Sequence, residues 1–185
     1  AAEWQSQGDK IIPASLPLTK LANTAIDRVA AQRGKILDEI MEYAGSDLVC
    51  YRAERPRSLV ERQSEVWDPI LAAVEAELGV RFIRAEGIVH RAQPEAVLRA
   101  VGDAIRDLPD LPLAALQLVT TLTGSAVLAL ALHWGFASAG QVWAAAHVDH
   151  DWQIAQWGRD EEAEARRTTY ERDYQAAAAA LATSR

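Results

Sequence analysis

The sequence predicts a mainly α-helical fold, a multi-helix globular bundle carrying one small β-hairpin element. Alanine and leucine fill the long stretches between prolines and glycines, and apolar residues recur at three- and four-residue spacing. Only one segment, around Glu86-Gly87, has the paired short β-prone runs of a hairpin. A chain of 185 residues is ample for one core, so residues 1–185 are read as a single helical domain.

The elements follow in order. A short first helix ends near Gly8, and Pro17 opens a second whose Leu18, Leu21, Ala22, Ala25 and Val29 share a face, with Gly34 as its stop or break. "KILDEIMEYAG" is the next amphipathic unit, with Ile36, Ile40 and Tyr43 on one side and Gly45 as its end. "SDLVCY" is short and apolar and fits either a strand or a helix start. Leu59, Gln63, Val66, Ile70 and Val74 again recur helically, but Asp68-Pro69 reads as a cap followed by a first helical turn. The expectation is one helix ending near Trp67 and another from Pro69 to Leu78. After the hairpin, Pro94 opens an amphipathic helix and "PDLP" marks a corner.

Leu111 to Val148 contains no Asp, Glu, Lys or Arg. The polar and small residues Gln117, Thr120, Thr121, Thr123, Gly124 and Ser125 interrupt it, which favours a central buried helix from Pro112 to Trp134 over a membrane span. Gly135 stops that helix. From Ala139 two helices follow, parted near Trp157-Gly158. The last begins with Asp160, Glu161 and Glu162, suits the helix dipole, and allows a Glu162–Arg166 pair. Tyr170, Tyr174, Ala177 and Leu181 give it a buried stripe, and its alanine-rich end is expected to fray.

Composition excludes several functions. A formal net charge of −7 and a pI near 5.1 argue against nucleic acid or an anionic membrane as partner. One cysteine, Cys50, builds neither a disulfide scaffold nor a Cys-rich zinc site, and reads as a partly buried reduced thiol. No glycine-rich phosphate loop and no nucleophile elbow occurs. "HVDHDW" sets His147, His150 and Asp151 at helical metal-ligand spacing, but without a further placed ligand or the glutamate of the helical zinc-protease motif. His90 and His133 are isolated and read as structural. Six tryptophans (Trp4, Trp67, Trp134, Trp143, Trp152 and Trp157) with many arginines and no catalytic set suit a binding protein, since Trp and Arg concentrate at interface hot spots.

Four blocks carry a family likeness: "PLTKLANTAIDRV", "DLVCYRAERPRSLVERQSEVWDPIL", "AEGIV…QP" and "DWQIAQWGRDEEAEARR". In order and approximate spacing, to about Arg167, the chain resembles the F-type ATP synthase assembly chaperones that act on the alpha subunit, a family of mitochondria and alphaproteobacteria. The resemblance implies a non-catalytic assembly factor with no cofactor, no metal and no small-molecule substrate. It would bind the unassembled alpha subunit and be displaced by beta, in the cytoplasm of a bacterium or the matrix of a mitochondrion. Family members begin with a further β-rich segment that this chain lacks, which implies a fragment. "EGIVHRAQP" also departs from the family, with His90-Arg91 at a more apolar position.

The family block singles out Arg52, Glu54, Gln63, Trp67 and Asp68 as partner-binding candidates, several of which must also serve folding. The acidic helix start, Asp160, Glu161 and Glu162, is a second candidate contact surface, with a solvated helix face as the alternative. Two other readings fit the residues: a small helical metal enzyme using His147, His150 and Asp151, and a generic helical adaptor.

Overall fold

The structure is a computed structural model that describes residues 2–87 and 89–183. Helix α1 (Ala2–Gln5) is tied to α2 (Pro17–Thr24) because the Glu3 carboxylate accepts from the N–H groups of Leu18 and Thr19 at 2.7 and 3.0 Å. These are donors that a helix start leaves without an internal partner. A wide π turn, Ala25–Val29, then leads into α3 (Ala30–Gly45). The expected break at Gly34 lies instead at Gln32, whose φ of −133° and ψ of 29° leave the helical region. Beside that kink, Arg33 reaches the end of α5 (Glu95–Ile105), donating to the carbonyls of Arg106, at 2.6 Å, and Leu108, and pairing with Asp110 at 3.0 Å.

A 3₁₀ turn, Leu48–Cys50, and strand β1 (Tyr51–Arg52) connect α3 to α4 (Arg57–Leu78). Helix α4 runs unbroken through Pro69, correcting the expected corner at Asp68-Pro69. Asp68 is drawn into ion pairs with Arg52 and Arg84, at 2.8 and 3.5 Å, so its carboxylate does not cap a new helix. The backbone acceptor that Pro69 deprives of a partner is the carbonyl of Glu65, on the exposed side of the helix.

The small β element is also corrected. Strand β2 (Ala85–Glu86) pairs in parallel with β1, Tyr51 opposite Ala85 and Arg52 opposite Glu86, rather than folding into a hairpin. Ile88, in the expected second arm, lies outside the described residues. Gly87 still makes the turn, with φ of 73°.

The charge-free stretch forms two helices, α6 (Asp110–Thr123) and α7 (Ala126–Trp134), where one was expected. Gly124 adopts φ of 69°, a left-handed conformation that ends α6. Ser125 caps α7, accepting from the Leu128 N–H at 3.0 Å. Every residue from Ala126 to Leu132 is buried. No described helix is long and apolar enough to cross a membrane.

Ser138 and Gln141 form a reciprocal capping box at the start of α8 (Ala139–Ala146). The chain breaks at His147, a position the sequence did not mark, and continues as α9 (Val148–Trp157). Helix α10 (Glu161–Ala182) closes the molecule against α6, α2 and α7. Of its expected stripe, Tyr174, Ala177 and Leu181 are buried, whereas Tyr170 is 52 % exposed. Its alanine-rich end does not fray: Ala176, Ala177, Ala178 and Ala180 pack into the core, where small side chains admit close helix approach. The core is thus an α6–α7 centre wrapped by α3, α4 and α10, with Ile36, Ile40, Leu71, Leu116, Leu130 and Leu181 fully covered.

Candidate protein-docking site

The α3–α4 connection grips the central corner through Asp47. Its buried carboxylate accepts from the Ser125 hydroxyl at 2.6 Å, the Val127 N–H at 2.9 Å and the Val49 N–H at 3.2 Å. Burial pushes its pKa up to about 6, against the pull of those donors. Held in this way, the next residues enter β1 and present Arg52 inward.

Arg52 is buried over Trp67, its guanidinium carbon 5.1 Å from the ring centroid. Its Nε donates to the Val49 carbonyl at 2.8 Å and its Nη2 pairs with Asp68 at 2.8 Å. Burial pulls the guanidinium below its ordinary pKa, and Asp68 opposes that shift. Trp67 is fully covered, with its indole N–H donating to the Ala145 carbonyl at 2.7 Å. Gln63 is equally enclosed: it accepts from the Ala53 N–H at 2.8 Å and donates to Asp149 at 2.7 Å. Arg52, Gln63 and Trp67 therefore lock β1, α4 and the α8–α9 corner together. Asp68 is half-exposed and Glu54 is exposed.

The following loop is fixed in the same manner. Buried Glu75 accepts from the Phe82 N–H at 2.8 Å and from Arg81 at 2.6 Å. Gln93 pairs doubly with Ile83, accepting from its N–H and donating to its carbonyl, both at 2.8 Å. This pairing gives the "QP" of the last turn before α5 a structural explanation.

Above the locked corner, the outer face of α4 meets α8 and α9 in an open groove. Two adjoining hollows of 410 and 360 Å³ share Arg62, Val66 and Ala144. Along α4 the lining runs from Ser58 to Ile70, about 18 Å at the helical rise. The opposite wall is Ala137, Gln141, Ala144, Val148, Trp152 and Ala155. These recur at three or four residues, so the stripe continues straight across the break at His147. Phe136, 42 % exposed and tilted against Trp134 with ring centroids 5.8 Å apart, closes one end. Trp157, 75 % exposed, lies beyond the other, edge-on to Trp152. The wall's three- and four-residue spacing is present in the sequence, but nothing there sets it apart from the rest of the helix expected from Ala139.

Asp160 caps α10, accepting from the N–H groups of Glu162 and Ala163 at 2.9 and 3.2 Å. Glu161 and Glu162 stand exposed beside it, and Glu162 pairs with Arg166 at 3.3 Å as the spacing predicted. His147, His150 and Asp151 do not converge as ligands. His147 is directed to the Trp143 carbonyl at 2.8 Å, and burial holds its pKa below the usual histidine value. Asp151 is taken by Arg167. Among the described residues no three His, Cys, Asp or Glu side chains are arranged to hold a metal ion. Cys50 is buried, its thiol pushed far up by that burial and by Asp47.

Comparison with known proteins gives consistent findings. A family described as ATP12 chaperone protein matches residues 1–75. The crystal structure of a candidate chaperone from Agrobacterium tumefaciens superposes with a TM-score of 0.93 at 42 % identity, over 97 % of this chain and 68 % of that one. The crystal structure of Atp12 from Paracoccus denitrificans superposes with the same TM-score at 34 % identity, over 100 % of this chain and 79 % of that one.

Proposed function

This chain belongs to the ATP12 chaperone family, and from that premise we propose that its client is the unassembled alpha subunit of an F-type ATP synthase. The family assigns an assembly chaperone; the choice of alpha as client rests on the sequence resemblance. An unassembled subunit of an alternating ring exposes apolar surface meant for its neighbours, and such surface aggregates. The groove along α4, α8 and α9 offers what that surface needs: an apolar floor, aromatic ends and a charged rim. It is the observation that carries the reading.

In this reading the groove covers part of the alpha interface until beta, with a larger or better-paired surface, displaces it. The exchange is competition for one surface, so the chaperone itself turns nothing over. Glu54, Asp68, Asp160, Glu161 and Glu162 are proposed as polar contacts. Burial supports an indirect part for Arg52, Gln63 and Trp67, which hold the surface in shape.

The test is co-purification and light scattering with isolated alpha and beta subunits. The 185-residue chain should retain alpha and slow its aggregation while leaving beta unaffected. Equal behaviour toward the two subunits would falsify the assignment. Within the site, Glu161→Lys should leave melting unchanged and weaken alpha binding severalfold, whereas an unchanged affinity removes the α10 start from the contact surface.

A further inference from the structure

A second groove, of 660 Å³, shares no lining residue with the first and lies over α3 and α5. Its floor is apolar: Met41 and Leu98, with Gly45 between the helices. Met41 lies so close over Gly102 that a Cβ there would stand 2.8 Å from its sulfur. Asp38, Met41, Glu42 and Gly45 fall at i, i+3, i+4 and i+7, so two carboxylates flank the apolar strip on one face. Across the groove Glu95 pairs loosely with Arg99 at 3.8 Å. Among the described residues Asp38 and Glu42 have no ion pair. The rim therefore carries two uncompensated negative charges.

We propose that this groove is a docking site for a cationic amphipathic segment of the client. A lysine or arginine would pair with Asp38 and Glu42 while neighbouring aliphatic side chains cover Met41 and Leu98. Charge complementarity decides the occupant. The carboxylates repel acidic segments and phosphates, and a second copy of this chain brings its own formal net charge of −7. Methionine is suited to the floor because its unbranched, polarisable side chain adapts to the surface laid on it. The far end is rigid, since Gln93 is clamped to Ile83. This inference rests on the alpha-subunit reading, but it uses a different surface and a different chemistry.

The experiment compares the chain with its Asp38→Lys/Glu42→Lys variant and, as a control at another exposed acid outside the groove, Glu77→Lys. Each is titrated with isolated alpha subunit at low and high salt, and against overlapping 20-residue peptides covering that subunit. Both acids are exposed and unpaired, so melting should not change. Affinity for alpha should fall at least about tenfold with the double reversal and not with the control. The peptides lost with the reversal should carry net positive charge, and the salt dependence of alpha binding should flatten. If the parent chain binds alpha and the double variant binds equally well, this groove is not a docking site and the chaperone reading stands. If the parent chain retains no alpha, the client assignment fails and takes this inference with it. Self-association of the parent chain that the double variant abolishes would also overturn it, by assigning the groove to a second copy.

Discussion

At the scale of single residues, Asp47 carries the clearest consequence of burial. Its folded pKa, about 6, lies above the ordinary 3.8, so the folded state holds this proton more tightly than the unfolded one. Its contribution to stability is therefore highest below about pH 4, falls as pH rises toward 6, and is flat beyond. Asp47→Asn should abolish that slope. It should also cost about 1–3 kcal/mol at pH 7.5, because its amide nitrogen would face a donor where a carboxylate oxygen now accepts. Urea midpoints of the two proteins across pH 4–8 give both quantities. Trp67→Phe leaves the Ala145 carbonyl unpaired and should lower stability by roughly 1–3 kcal/mol, with little change in alpha affinity per folded molecule. A large affinity loss at full folding would instead make Trp67 part of the contact. Little of this was legible beforehand. Sequence periodicity put Gln63 on the same face as Val66 and Ile70, yet nothing in it reveals that its amide joins Ala53 to Asp149, residues 96 places apart in the chain.

At the scale of elements, the amphipathic helices were readable because their signals are local. Pro17, Ser138, Asp160 and Gly135 start or stop helices through their own backbone and side-chain chemistry. The misreadings arose where a distant partner changes the outcome. Asp68-Pro69 has the composition of a helix restart, but Arg52 and Arg84 occupy the carboxylate that would have capped it. The Glu86-Gly87 turn is real, yet its strand finds Tyr51–Arg52 more than thirty residues upstream. The break at His147 has no glycine or proline to announce it. These differences give a direct test on α4: Pro69→Ala restores an N–H to the Glu65 carbonyl and should stabilise the protein by about 1–3 kcal/mol, read as a raised urea midpoint. A loss of stability would mean that Pro69 packing in the groove outweighs the missing hydrogen bond.

At the scale of the whole molecule, α10 is the element on which the rest depends. It lies against α2, α6, α7 and α8, and the Tyr174 ring packs tilted against Trp143, centroids 4.8 Å apart, while its hydroxyl donates to the Ala139 carbonyl at 2.7 Å. Removing residues 176–185 takes away the buried Ala177 and Leu181 and uncovers the α6 face on which α10 packs. The truncated chain should bind a hydrophobic dye and lose a single cooperative melt, observed as tryptophan fluorescence and far-ultraviolet dichroism that no longer coincide. The order of synthesis follows from the same packing. The apolar α6–α7 pair leaves the ribosome before α10 does, and at ordinary elongation rates the nascent chain waits about 2–10 s for its cover. A chaperone of this family is thus born with an uncovered apolar surface of its own, and closes it only after α10 has been translated.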